Sequence, residues 1–295
     1  MRDVFSSFHP IVNFIYFVLV IMCSMFFMHP VFLGISLCSA ILYSIYLNGL
    51  RAIKFNFLFM LPVLLLFAAL NPLFNHEGAT VLFHIQNNPI TAEALIYGLA
   101  AAAMFVSVII WFSCYNVVMT SDKFIFLFGR VIPALSLVLS MVLRLIPRLK
   151  AQIHMISNAQ KCVGQDATNG NMLQRVKNGL KILSVLVTWA FENAIDTADS
   201  MKSRGYGLKG RTSFSNYRFD RRDGLAMGFI LLFFLPVIFG ALTGENNIIY
   251  FPSVLVKPLS AVSLMVYIAY GGLCLLPLIF DILEDIKWAR LKSRV

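Results

Sequence analysis

Residues 173–212 read LQRVKNGLKILSVLVTWAFENAIDTADSMKSRGYGLKGRT, and apolar side chains recur through most of this segment in steps of three and four. Such spacing places these side chains on one face of an α-helix. The apolar stripe consists of Leu173, Val176, Leu180, Leu183, Val187, Phe191, Ala194, Ala198 and Met201. We predict a helix of about eight turns. It ends at Ser203, Arg204 and Gly205, because glycine adopts the left-handed conformation that terminates helices.

The composition is that of an integral membrane protein. Of the 295 residues, 59% are hydrophobic and 13% are charged, whereas soluble domains are about half apolar and about one-quarter charged. The five cysteines are widely separated and include no CxxC pair, so they indicate no zinc site. The N-terminal apolar run lacks a small-residue cleavage site, and we interpret it as an uncleaved first span.

Six apolar segments are each near the length that crosses about 30 Å of hydrocarbon. They are residues 11–28, 31–47, 55–74, 94–118, 225–242 and 254–279, the second being marginal. The sequence therefore predicts an all-α polytopic membrane protein with about six transmembrane helices and long amphipathic cytoplasmic helices. An alternative with about seven or eight spans stays open, in which part of 124–147 or 180–195 crosses the membrane.

The distribution of basic residues predicts the orientation. If both termini are cytoplasmic, all of the 24 Lys and Arg except Lys257 lie inside or at the inner face, as the positive-inside rule requires. This bias explains the net charge of +10, so we predict the lipid bilayer as a partner and no nucleic acid. The cytoplasmic region is then residues 119–223, between the transmembrane regions 1–118 and 224–295.

The cytoplasmic region holds two long helices. The first is predicted over residues 133–161, and the polar linker GQDATNGN at 164–171 separates it from the helix described above. Both helices are amphipathic, so their apolar sides can pack against each other and against the bilayer surface.

Charged residues on the two helices suggest a contact between them. Glu192, Asp196 and Asp199 follow an i, i+4, i+7 pattern and share one helix face. Arg144 and Arg148 are also four residues apart. The carboxylates either form a solvated face or pair with these arginines, and we favour pairing because both helices lie near the low-dielectric membrane surface.

Four short segments carry a family resemblance that covers nearly the whole chain. They are FHP at 8–10, NPLFNHEG at 71–78, RLIPRLKAQIHMISNAQ at 144–160 and ADSMKSRGYGLKGRT at 198–212. With these segments the chain resembles the transmembrane coupling (T) component of energy-coupling-factor (ECF) transporters, the family that includes the CbiQ-type cobalt permease subunits. The last two segments are the most specific when they occur together.

The resemblance implies two ATP-binding-cassette (ABC) ATPase subunits beneath the chain and a small substrate-binding integral membrane protein beside it. The two cytoplasmic helices would be coupling helices, each ending in a motif whose central arginine docks in a groove of one ATPase. Ser203, Arg204 and Gly205 match the second motif. ATP and Mg would bind the partner subunits, and this chain would have no catalytic residue, cofactor or metal of its own. The resemblance places it in a bacterial or archaeal plasma membrane.

The first motif departs from the family pattern. The family closes its first helix with AQ-x-ARG, whereas Ala159 and Gln160 are followed here by Lys161, Cys162, Val163 and Gly164. A valine therefore stands in the place of the arginine. We expect asymmetric docking, in which the contact at Arg204 dominates. The ordinary interpretation of Arg204 stays open, since a cation near a helix C-terminus complements the helix dipole.

The function implied is uptake of a vitamin or a transition-metal ion, with this chain transmitting ATP-driven motion to the substrate-binding protein. The alternative is an intramembrane enzyme that acts on a lipid-linked substrate. Such an enzyme needs polar groups inside the spans. The predicted spans contain no Asp, Glu, Lys or Arg except Lys257, close to the outer boundary, so the alternative is disfavoured.

Overall fold

The computed structural model describes residues 4–55, 58, 60–75, 77–85, 88–129, 132–165, 171–206, 208, 217–244, 246–255, 258 and 260–292. Within these ranges the chain is helical with one short β-hairpin, which confirms the predicted all-α class. In chain order the elements are α1 (Val4–Ser7), α2 (Pro10–Phe26), α3 (Pro30–Asn48), α4 (Leu50–Phe55), α5 (Leu61–Phe74), β1 (Val81–Ile85), β2 (Asn88–Thr91), α6 (Ala92–Val118), α7 (Ser121–Gly129), α8 (Pro133–Cys162), α9 (Met172–Ser203), α10 (Arg221–Leu242) and α11 (Ala261–Lys292).

The chain divides into two compact units. The first, here called the membrane unit, comprises Met1–Lys123 and Tyr217–Val295, and the second, the helical arm, comprises Phe124–Asn216. The helical arm lies inside the predicted region 119–223. The location of that region in the cytoplasm stays a prediction.

The membrane unit contains helices at all six predicted spans. Among the described residues, α3, α6, α10 and α11 are long and apolar enough to cross a membrane, while α2 and α5 are shorter apolar helices of 17 and 14 residues. The chain is thus a polytopic membrane protein. The second predicted span, expected to be marginal, is one of the four long helices.

The last span differs from its prediction over residues 254–279. Helix α11 begins at Ala261, because Leu255 is held in the preceding loop by a β-bridge to Ile249. The hydroxyl of Ser263 accepts the backbone N–H of Ser260 at 2.8 Å, a side-chain contact typical of helix starts. The helix then continues to Lys292 as a charged segment.

The core of the membrane unit surrounds Trp111 on α6. Helix α6 packs against α2, α3 and α5, and α11 packs against α3 and α10. The indole N–H of Trp111 donates to the Ser36 hydroxyl at 3.0 Å, which also lies 2.7 Å from the hydroxyls of Ser24 and Ser107. These polar groups satisfy one another because a bilayer offers them no water.

A β-hairpin between α5 and α6 was not predicted from the sequence. Strands β1 and β2 pair antiparallel, with His84 opposite Pro89, between the third and fourth predicted spans. The Thr91 hydroxyl accepts the Ala94 N–H at 3.3 Å and caps α6. The buried Glu93 carboxylate accepts the Thr80 hydroxyl at 2.7 Å. The hairpin is therefore tied to the start of α6.

The helical arm contains the two long predicted helices. Helix α8 ends one residue later than predicted, and α9 spans 32 residues to Ser203. A small cluster joins them, in which Ile156 of α8 and Ile182 and Leu186 of α9 are buried and Leu149 and Trp189 pack at its edge. Near the connecting loop, the Lys181 ammonium donates to the Gln165 side chain at 2.6 Å.

Candidate docking site

Helix α8 ends in a glycine-terminated cap. Val163 is the C-cap residue, and Gly164 follows with a φ of 75°. The N–H of Gly164 donates to the Lys161 carbonyl at 3.0 Å, and the N–H of Gln165 donates to the Gln160 carbonyl at 2.9 Å. This pair of bonds defines the Schellman motif, in which the left-handed residue is usually glycine.

Helix α9 ends in the same cap. Arg204 is the C-cap residue, and Gly205 has a φ of 81°, which confirms the predicted left-handed glycine. The N–H of Gly205 donates to the Lys202 carbonyl and the N–H of Tyr206 to the Met201 carbonyl, both at 3.0 Å. Val163 and Arg204 therefore occupy the same position of the same motif. The two tips differ in side chain and not in backbone geometry.

Both tips are exposed in this chain. Val163 is 72% exposed, and Ser203 and Arg204 are also exposed. The Arg204 guanidinium forms no hydrogen bond or ion pair with any residue that the structure describes. Tyr206 and Leu208, which follow Arg204 closely in the chain, are 53% and 74% exposed. These two residues were not predicted as part of the site, although YGL directly follows the arginine motif.

The apolar stripe of α9 is largely uncovered. Its first six members are between 44% and 82% exposed: Leu173, Val176, Leu180, Leu183, Val187 and Phe191. The contact with α8 is made instead by Ile182, Leu186 and Trp189. These side chains lie on a different face of α9 from the stripe, since successive helical residues are about 100° apart. The stripe therefore remains available to the bilayer or to another protein.

The predicted ion pairs between the helices do not form among the described residues. The candidates are all exposed: Arg144, Arg148, Glu192, Asp196 and Asp199. The guanidinium carbon of Arg148 instead lies 5.5 Å from the ring centroid of Trp189. Exposed ion pairs contribute little, whereas a guanidinium over an indole gains electrostatic attraction and contact. In this chain the contact at Arg148 is therefore aromatic and not ionic.

A double-mutant cycle measures this contact. Arg148→Ala and Trp189→Ala are expected to show a coupling energy of about 0.5–1 kcal/mol in the free energy of unfolding, as for exposed cation–π pairs. The control cycle combines Arg144→Ala with Trp189→Ala, which we expect to be additive. Rescue of Asp196→Arg by Arg144→Asp would show instead that the ion pairs form.

Comparison with known proteins identifies the family. The profile of the CbiQ family, described as cobalt transport protein, matches residues 6–214. The chain belongs to the CbiQ family. The matched residues include the FHP segment, both helix tips and the whole of α8 and α9. The resemblance seen in the short segments is thus confirmed over most of the chain.

Several relatives carry the name energy-coupling factor transporter transmembrane protein EcfT. This CbiQ-family chain is 30% identical over 205 residues to the Lacticaseibacillus paracasei protein, covering 66% of this chain and 75% of that one. It is 30% identical over 213 residues to the Streptococcus thermophilus protein, covering 65% and 81%. The match to the Lactococcus lactis protein is 40% identical over 105 residues and covers 35% of this chain and 40% of the relative. These relatives support a transmembrane component of an ECF transporter.

Proposed function

We propose that this CbiQ-family protein is the coupling subunit of an ECF-type importer. It transmits the ATP-driven motion of two ABC ATPase subunits to a small substrate-binding integral membrane protein, which takes up a vitamin or a transition-metal ion. ATP and Mg bind the ATPase subunits. The protein lies in a bacterial or archaeal plasma membrane with both termini in the cytoplasm.

The observation that carries this proposal is the exposed Arg204 at the end of a 32-residue helix. Such a helix is about 48 Å long and acts as a stiff lever. The hydrogen bonds of the Schellman motif fix the backbone conformation at Arg204. A guanidinium presents several donors in a rigid plane, which suits a groove lined by carboxylate or carbonyl acceptors. The tip is therefore built to dock in another protein.

The uncovered stripe of α9 supports the second contact. Its exposed Leu, Val and Phe side chains offer an apolar surface that can slide along a membrane-embedded partner. Met155 and Met172, at 65% and 80% exposure, add flexible side chains on α8 and α9, and methionine adapts to changing contacts. Through the tip and the stripe, one helix can contact a motor and a cargo-binding protein.

Purification from the native host tests the proposal. We expect the tagged chain in mild detergent to retain two ATPase chains and one small hydrophobic protein, and ATP hydrolysis to follow the retained ATPases. Mock purification from cells with the untagged chain is the control. Turnover of a lipid-linked substrate by the chain alone would contradict the proposal and support an intramembrane enzyme.

A further inference from the structure

The polypeptide connects the membrane unit to the helical arm at two places. It leaves the membrane unit after Lys123 and returns at Tyr217. Residues 4–10, here called the N-terminal anchor, comprise α1 and the FHP segment, for which the proposed function gives no role. Buried charged side chains near both connections are bonded to this anchor. All of these contacts lie within the membrane unit.

Lys123 binds the anchor where the chain leaves. Its side chain is 6% exposed. The ammonium donates to the Ser6 carbonyl, to the Ser6 hydroxyl at 2.9 Å and to the Val118 carbonyl at 2.8 Å. These acceptors match the three donors of an ammonium. Lys123 also lies in the first turn of α7, the helix that continues into the helical arm.

Asp223 binds the anchor where the chain returns. It is 5% exposed in the first turn of α10. One carboxylate oxygen accepts the backbone N–H of His9 at 2.8 Å, and the other accepts the backbone N–H of Asp220 at 2.9 Å. Burial lowers the pKa of His9, and the Asp223 carboxylate opposes part of that shift. The ring of Phe219 lies 5.5 Å from the His9 ring.

Asp281 of α11 completes the set. It is 0% exposed, and one of its oxygens accepts the N–H groups of Val4 and Phe5, both at 2.9 Å. Phe5 is also fully buried, with its ring 5.1 Å from that of Tyr16. A buried charge is costly unless hydrogen bonds satisfy it. Three buried charged side chains on other parts of the membrane unit bind this one short segment and therefore fix its position.

We propose that the N-terminal anchor ties both connections of the helical arm to the body of the membrane unit, and that Lys123, Asp223 and Asp281 are positioning residues for coupling. This inference rests on the proposed function. Motion of the arm reaches the membrane unit covalently through α7 and through the chain before α10. Because the anchor binds both of these sites and α11, displacement at either connection moves α6, α10 and α11 together. Without the anchor, the connections would bend separately.

Amide hydrogen exchange on the assembled complex tests the inference. The variant is Asp223→Asn in the full chain with its ATPases, in lipid nanodiscs. The amide nitrogen would face an N–H donor, so exchange at residues 4–9 is expected to accelerate at least about tenfold. The matched control is Asp285→Asn on α11, since Asp285 is exposed and accepts the Tyr46 hydroxyl at 2.9 Å. The control is expected to leave exchange at residues 4–9 unchanged.

The decisive readout is the response to ATP with orthovanadate. In the wild-type complex we expect the nucleotide to change exchange in α8, α9, residues 4–9 and the first turn of α10. In Asp223→Asn the response of α8 and α9 is retained and that of residues 4–9 and α10 is lost. If Asp223→Asn does not assemble, Lys123→Met replaces it, with Lys287→Met as the control. We expect Lys123→Met likewise to retain the response of α8 and α9 and to lose that of residues 4–9 and α10.

Two results would overturn the inference. One is a wild-type complex in which the nucleotide leaves exchange at residues 4–9 unchanged. The other is a variant in which the response of α10 survives the loss of the anchor. Failure of the wild-type chain to retain any ATPase would instead overturn the proposed function. In that case, rapid exchange at residues 4–9 in the isolated wild-type chain would show that the anchor itself is not fixed.

Discussion

Arg204→Ala is expected to weaken retention of the ATPase subunits at least about thirtyfold, or about 2 kcal/mol, as for an arginine hot spot. Val163→Ala is expected to weaken it about threefold or less, because valine is seldom a hot spot. The two residues hold the same position in matching helix caps. The difference between the variants therefore does not arise from the backbone geometry of the two tips. Affinity of the nanodisc-held complex for the purified ATPases measures it.

Two controls separate the guanidinium from simple charge. Lys202→Ala removes a neighbouring positive charge from the same tip, and Lys202 is also exposed. We expect it to have a small effect that disappears at high salt, since exposed charges are screened. Arg204→Lys keeps the charge but not the planar fork and is expected to fall between wild type and alanine. Equal, small losses in Arg204→Ala and Val163→Ala would contradict asymmetric docking.

The sequence predicts the helices of this fold well where the length of an apolar run locates a span or a glycine marks a helix end. Apolar length locates the spans because a bilayer imposes a minimum hydrophobic run. Gly164 and Gly205 mark the ends of α8 and α9, since few other residues adopt a positive φ. The start of α11 was harder to predict, because Leu255 is apolar but pairs with Ile249 in a loop. Hydropathy does not distinguish these two environments.

The partners of individual side chains were less predictable. A second face of α9 also carries apolar side chains, so periodicity could not show that Ile182 and Leu186 would contact α8 while Leu183 remained exposed. The rotation of the helices also brings Arg148 over Trp189. Periodicity gives the face of a helix but not its neighbour.

The contacts of the buried charges with the N-terminal anchor could not be predicted from sequence spacing either, because the partners lie far apart in the chain. Asp223 and Asp281 lie just outside the predicted spans, where carboxylates are ordinarily solvated. Their partners are 214 residues away, at His9, and 277 residues away, at Val4. No local spacing could indicate such contacts. The available signal was the FHP segment itself, whose histidine and proline begin α2.

Trp111→Ala is expected to cost about 3–5 kcal/mol in the free energy of unfolding of the membrane unit, as for large-to-small substitutions at buried aromatic sites. Trp111 is 0% exposed, and the rings of Tyr16, Phe17 and Tyr43 each lie 6.3 Å from its own. Alanine would leave a cavity among side chains on three helices. Unfolding in mixed micelles, followed by circular dichroism, measures the loss.

Two further variants separate packing from hydrogen bonding at this site. Trp111→Phe keeps an aromatic ring but removes the N–H that donates to Ser36. It is expected to cost about 1–2 kcal/mol, because the bond and some volume are lost. Trp288→Ala is the matched control, since Trp288 is 56% exposed near the end of α11. Its cost should stay within about 0.5 kcal/mol. If Trp111→Ala cost no more than Trp288→Ala, the aromatic core around α6 would not be what stabilises the membrane unit.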